Sequence, residues 1–415
     1  MQINKFSGII SKELSKTKQR LVKEILYGIQ ASKDVKLSNI SRALKEDIPL
    51  IKTEDRLSRN LGDKDLTTHI NNQIMRLGDD KVDDTMVIAI DPGDLMKPYA
   101  KEMEHLCNIY DGSEHETARG YHLCQVTASN LEHNKIVPLY CEAYSNEAKD
   151  YYGSTEKLIE VIQKVTQYTK KRGTWAIDRQ GDDLDLIEFF TEEQLQFVTR
   201  LKTNRYLHFD GNINRQVKAE RIHHHVNLKY QAQIYIAKDG KEELLRLDYG
   251  AITVALPEYP QQWYTLVIIK GFGKQPMLLL TNKEVNIFDG KELWRIVEIY
   301  LTRWKCDECY RYIKQSYNLE DFRVMSYTSI RNIIVLVHAI AYFTSIYIGI
   351  SLKLKIMLQK IFILSKRFFG VPTFFNYAMA DGIFELLKKT KNGIINFKGK
   401  TGKNIDDFQL SLFPD

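Results

Sequence analysis

The chain has 415 residues, 44% hydrophobic and 27% charged, with 5 cysteines and a net charge of +6. This composition excludes collagen-like, disordered and disulfide-stapled chains, and the length is sufficient to bury a core without a metal staple. The cysteines (Cys107, Cys124, Cys141, Cys306 and Cys309) are odd in number and widely spaced, and residues 1–21 hold no uninterrupted apolar run. An intracellular, cytoplasmic protein is therefore expected rather than a secreted one.

The positive charge is unevenly placed. Residues 1–76 carry 15 Lys/Arg against 9 Asp/Glu, and residues 353–403 carry 11 Lys/Arg against only Asp381 and Glu385. Basic ends attract a phosphate backbone, and a centre richer in acids attracts divalent cations. Lysines that merely keep a surface solvated fit the same counts.

In chain order, residues 1–80 predict a small helical domain. Leu14, Leu21, Ile25, Leu26 and Ile29 recur at helical spacing, residues 37–44 begin a second unit and residues 56–61 a third. Its polar faces carry Lys36, Arg42, Lys45, Lys52, Arg56 and Arg59, a pattern that could place one helix in a major groove. Arg42, Arg56 and Arg59 are the candidate DNA contacts in this region.

After an acidic joint at residues 79–84, the apolar run 86–90 predicts a strand buried on both faces that ends at Asp91-Pro92-Gly93-Asp94. Strands at 121–128 and 135–142, a helix at 155–171 and a strand at 174–177 ending in Asp178 follow. A helix at 184–190 and a fifth strand at 196–201 complete the first part of an α/β core, residues 81–202. Residues 203–286 alternate as strands joined by Gly and Asn turns and predict a β-rich insertion. Helical periodicity then runs from Lys291 to about Leu387, giving the remainder of the core at 287–350 and a basic helical C-terminal region at 351–415. Residues 333–352 lack Asp, Glu, Lys and Arg and are long enough to span a membrane. The interspersed polar residues favour a buried helix of a large domain, so no membrane is expected.

Asp91 and Asp178 each end a short apolar run, where a buried strand delivers a carboxylate to the edge of a sheet. A turn or N-cap role would account for either one alone. Together, on the first and fourth strands, they suit ligation of hard divalent cations, two of which can activate an attacking oxygen and stabilise a leaving oxygen at a phosphodiester. The third carboxylate is expected from residues 300–314. At 100° per residue, Tyr300 and Lys314 lie within about 20° of Asp307, and Arg303 and Arg311 within about 40°, while Glu308 points about 100° away. Such a stripe is either a solvated salt-bridge face or a metal ligand flanked by phosphate-binding cations.

These residues carry a resemblance. The chain resembles the DDE transposases of bacterial insertion sequences whose third acid lies in a Tyr-x2-Arg-x3-Glu-x6-Lys signature. Tyr300, Arg303, Asp307 and Lys314 match it, and Asp91 and Asp178 match the first two acids. The resemblance implies an RNase H-like core, a mixed five-stranded sheet with helices, interrupted by the β-rich insertion and preceded by a helical N-terminal DNA-binding domain. It implies binding of transposon ends and target as double-stranded DNA, metal-dependent cleavage and strand transfer with two Mg²⁺, for which Mn²⁺ may substitute, and a homodimer. It also implies a bacterial, nucleoid-associated location, and that Tyr300, Arg303, Arg311 and Lys314 handle DNA near the cleaved phosphate.

The sequence departs from the signature by having Asp307 where the family has Glu, one methylene shorter. Asp91, Asp178 and Asp307 are the expected catalytic and metal-binding residues, with Glu308 as the alternative third acid. A nuclease that cuts without joining, and a DNA-binding relative with impaired catalysis, are the competing readings. Cys306 and Cys309 are expected as structural thiols, and His223-His224-His225 as a polar turn or DNA contact. Arg179, Asp182 and Asp183 are candidates to order the loop of the second acid.

Overall fold

A computed structural model describes residues 2–111, 116–131, 135–238, 241–349 and 376–388. Most of the basic C-terminal region expected at 351–415 lies outside the described residues. Five helices open the chain: α1 (Gln2–Ile10), α2 (Lys16–Ser32), α3 (Leu37–Leu44), α4 (Leu50–Asp63) and α5 (Thr67–Gly78). Sequence periodicity missed α1, because its apolar residues Ile3, Phe6 and Ile10 bury only against later parts of the chain. Helix α2 begins at Ser15, whose side chain accepts the Lys18 N–H, and closes at a left-handed Lys33 that donates to the Ile29 carbonyl.

These helices share one hydrophobic core with the rest of the molecule. The apolar run that would suit a membrane is its centre, forming helix α10 (Tyr327–Tyr342) and a π-turn to Tyr347, most of it buried inside the protein. Asn332 is a polar anchor on its N-terminal side: its side chain donates to the carbonyls of Leu61 (2.7 Å) and Lys64 (2.8 Å) and accepts from the Leu66 N–H (2.7 Å). Those groups lie at the C-terminus of α4 and the start of α5, where orphaned backbone groups need partners.

Among the described residues twelve strands form one mixed sheet, so the protein is α/β with a large mixed sheet. Its first part comprises β1 (Val87–Met96), β2 (Cys107–Asp111), β3 (Glu116–Ser129), β4 (Ile136–Tyr144), β5 (Thr174–Ile177) and β6 (Phe197–Arg200). Helices α6 (Ser154–Thr169) and α7 (Leu184–Glu192) make the crossovers before and after β5. The order β4-β3-β1-β5-β6 has β3 antiparallel to both β4 and β1, while β1, β5 and β6 run parallel.

Strand β1 does not end at Asp91 as expected. It continues through Pro92 and Gly93 to Met96, paired with β3 as far as Met96↔Gly120. Its pairing with β5 ends at Ala89↔Ala176, so Pro92 lies where β1 has a free edge, a position that tolerates a residue lacking an N–H.

The β-rich segment supplies β7 (Tyr206–Phe209), β8 (Asn212–Lys218), β9 (Tyr230–Lys238), β10 (Lys241–Leu256), β11 (Tyr259–Lys270) and β12 (Met277–Thr281). These strands extend the same sheet. Strand β12 pairs antiparallel with β6, from Leu279↔Arg200 to Thr281↔Val198, and β11 and β10 follow outward. The apolar edge of β6 is thereby covered.

The helical periodicity from Lys291 resolves into α8 (Gly290–Thr302), α9 (Trp304–Ser316), α10 and, later, α11 (Asn376–Lys388). Helix α8 lays Leu293, Ile296 and Val297 on the sheet face formed by Val87, Ala176 and Val198. By strand alternation Asp91 shares that face with Val87 and Ala89, and Asp178 shares it with Ala176. The two acids thus lie two residues beyond the Ala89↔Ala176 pair, on the face where α8 passes into α9.

Asn332→Ala leaves three buried backbone groups unpaired and is expected to lower stability by about 2–4 kcal/mol in urea unfolding. A loss below about 0.5 kcal/mol would show that the Asn332 hydrogen bonds do not anchor α10.

Candidate active site

Asp91, Asp178 and Asp307 come from three separate elements. Asp91 lies on β1, Asp178 directly follows β5, and Asp307 lies in the first turn of α9. Asp91 and Asp307 are in hydrogen-bonding contact, and burial together with the charge of Asp307 holds the Asp91 carboxyl well above the ordinary carboxylate range, Asp178 adding a smaller push. Two touching carboxylates cannot both keep a full charge at low cost, so the pair binds either a proton or a cation.

Arg303 supplies part of that positive charge. Its Nη1 donates to Asp91 Oδ1 at 3.1 Å and to Asp307 Oδ1 at 3.3 Å. The two carboxylates in turn raise the Arg303 pKa against the opposing effect of burial. Arg303 also marks the helix break: its N–H bonds the Tyr300 carbonyl and its carbonyl accepts the Cys306 N–H, both in tighter three-residue turns. The break removes the continuous stripe expected from helical spacing. Tyr300 ends up buried on α8 with its ring centroid 5.9 Å from the Arg303 guanidinium.

Asp178 holds its loop as well as facing the pair. Its side chain accepts the Gln180 N–H at 2.9 Å, the capping role that would explain it alone, and its carbonyl accepts from Thr199 Oγ1 at 3.0 Å. Asp182, fully buried, pairs with Arg205 and accepts the Lys202 N–H at 2.6 Å, while Asp183 caps α7 and Arg179 is exposed. The loop after β5 is therefore tied to the start of the inserted strands.

A cleft of about 510 Å³ opens beside the pair, lined by Asp91, Asp307, Tyr310, Arg311, Lys314, Gln315 and Glu320. Glu308 turns away and pairs with the exposed Arg311. Lys314 pairs with Glu320 at 2.8 Å, and Glu320 also accepts the Met96 N–H at 2.9 Å, linking the helix to the end of β1. Tyr310 donates to the Asp94 carbonyl at 2.5 Å, a second link between α9 and β1. Lys97 donates to the carbonyls of Glu320 and Phe322 with its ammonium 3.5 Å over the Phe322 ring, and burial lowers its pKa to about 8. Sequence reasoning missed Tyr310, Glu320 and Lys97, since each acts on a backbone group far away in the chain.

The remaining expected sites stand apart from this cleft. Arg56 is held between Glu24 (2.5 Å) and Glu46 (2.6 Å), Arg42 is exposed and bonds Asn39, and Arg59 is exposed. Cys306 and Cys309 are free thiols on the buried side of α9, and burial pushes the Cys309 thiol up to about 12. His223, His224 and His225 lie on a short 3₁₀ helix in which His223 bonds the Glu220 carbonyl at 2.9 Å.

Carboxylate oxygens of this kind suit a hard divalent cation. Among the described residues, no three His, Cys, Asp or Glu side chains converge closely enough to ligate one as they stand.

No family model matches the chain, and no curated protein sequence is detectably similar to it. Among solved structures it is distantly similar to a piggyBac transposase synaptic complex with hairpin DNA, at 10% identity and a TM-score of 0.43, covering 95% of this chain and 75% of that one.

The raised pKa of Asp91 fixes the sign of a pH effect. A proton on Asp91 favours the fold, so its contribution is present below the unfolded carboxyl pKa of about 4 and is lost as pH rises through the higher folded value. Asp91→Asn, which imitates the protonated acid, is expected to raise the melting temperature at pH 8 and to change it little at pH 4. Equal shifts at both pH values would show that the carboxyl is not perturbed.

Proposed function

We propose that the protein is a metal-dependent DNA transposase of the insertion-sequence DDE type, built on an RNase H-like core. The observation that carries this reading is the meeting of Asp91 and Asp307, from opposite ends of a long insertion, beside Asp178, just beyond the point where the parallel pairing of β1 and β5 ends. The five-stranded order β4-β3-β1-β5-β6, with the helix bearing the third acid packed on it, supports an RNase H-like core. The contact of Asp307 with Asp91 supports Asp307, rather than Glu308, as the third acid despite its shorter side chain.

On this reading Asp91, Asp178 and Asp307 would hold two Mg²⁺, which when bound polarise the phosphate and lower the pKa of the attacking water. The chain itself positions and compensates charge. Lys314 and Arg311 line the cleft as phosphate partners, each exchanging its carboxylate, Glu320 or Glu308, for the DNA backbone. Tyr310 and Glu320 keep α9 against β1, so that the acids on the two elements keep their spacing. Water adds to phosphorus as the bond to the 3′ oxygen breaks, and the freed 3′ hydroxyl then repeats the displacement on target DNA. No covalent protein intermediate is required. Exposed Arg42 and Arg59 on the N-terminal helices are proposed contacts to the transposon end, and two copies would pair the two ends.

The test is a plasmid carrying this gene with its native flanks, incubated with purified protein and Mg²⁺ or Mn²⁺. Metal-dependent excision and joining should fall at least about a hundredfold in Asp178→Ala and in Asp307→Asn but not in Glu308→Gln. Cutting without joining would replace the transposase reading by that of a nuclease. Tight binding to the flanks with no cutting would make the chain a DNA-binding relative.

A further inference from the structure

We propose that Arg303 is a resident counter-ion that holds Asp91 and Asp307 together until a divalent cation arrives, and that it must leave the pair to admit one. The inference rests on the reading of these aspartates as ligands of a hard cation.

A single nitrogen, Nη1, reaches both carboxylates, 3.1 Å from Asp91 Oδ1 and 3.3 Å from Asp307 Oδ1. A dication between the same two side chains would claim the same oxygens, so the two cations are mutually exclusive at this spot. The Arg303 side chain is 10% exposed, against 20% for Asp91 and 35% for Asp307, which places the guanidinium on the inner side of the pair.

The grip is also built to be released. Arg303 Nε is buried without a hydrogen-bond partner, so the guanidinium is held through one nitrogen and not as the two-pronged fork that makes arginine–carboxylate pairs strong. A charge of +1 against two carboxylates leaves the pair under-neutralised, whereas a dication matches it. The Tyr300 ring, 5.9 Å away, offers the displaced guanidinium an aromatic face. Because Arg303 sits between α8 and α9, its side chain can swing without unwinding either helix.

The experiment is calorimetric titration of Mn²⁺ into the full chain, as wild type, Arg303→Ala, Arg303→Lys and Arg303→Ala/Asp307→Asn, with melting temperatures recorded with and without Mn²⁺. Arg303→Ala is expected to bind Mn²⁺ about tenfold more tightly than wild type. Without metal it should melt at a lower temperature than wild type, and Mn²⁺ should raise its melting temperature by more. Arg303→Lys should fall between, and the double variant should lose the gain. If wild type binds Mn²⁺ and folded Arg303→Ala binds it no more tightly, the counter-ion role is overturned while the metal reading stands. If neither shows saturable binding, the metal reading falls, and this inference with it. Should Arg303→Ala not fold, Arg303→Gln, a neutral side chain of similar reach, takes its place under the same criteria.

Discussion

Like charges in contact are the constraint around which this molecule is arranged. Asp91 and Asp307 meet in hydrogen-bonding contact, partly removed from water, and such a pair holds together only if a proton or cation offsets the repulsion and the backbones carrying them cannot separate. Arg303 supplies the charge. Tyr310, Glu320 and Lys97 supply the restraint, each fastening α9 or the turn after it to β1 or the residues just beyond it. The loop of Asp178 is restrained separately, through Thr199 and the buried Asp182–Arg205 pair. Elements that look unrelated in sequence are thus tied to one small region of repulsive charge.

Much of this was legible in the sequence, for a local reason. A buried strand must be apolar throughout, so the runs before Asp91 and Asp178 stand out, and the strands at 121–128, 174–177 and 196–201 were readable in the same way. Asp91 and Asp178 stood out because a carboxylate at the end of such a run is conspicuous, whereas Asp307 was reached through the helical stripe at 300–314 and the resemblance. What escaped were contacts to the backbone. Glu320 looks like an ordinary surface acid until it is seen to accept the Met96 N–H, and Lys97 like an ordinary surface lysine until its ammonium lies over Phe322. Helical spacing also misled at Arg303. Periodicity treats residues 300–314 as one cylinder, whereas a break at Arg303 sends Tyr300 into the core and Arg303 onto the acids.

The β-rich segment shows the same limit. Its alternation identified strands, but not that β12 would dock on β6 and continue the core sheet. The consequence is mechanical: the insertion is hydrogen-bonded to the strand next to β5, not hung from a linker, so displacement of β10 or β11 bears directly on the sheet that carries Asp178.

Helix α10 imposes an order on synthesis. The helices of the first eighty residues bury their apolar faces partly against α10, and the α4–α5 junction is satisfied by Asn332, more than 260 positions later. While the ribosome is still making the sheet, the faces that these helices turn toward α10 lack their partner and remain open to solvent or to a chaperone. The packing of these helices is therefore completed only after the sheet has been made. A truncated product that stops before α10 would expose this surface and be a ready substrate for aggregation or proteolysis.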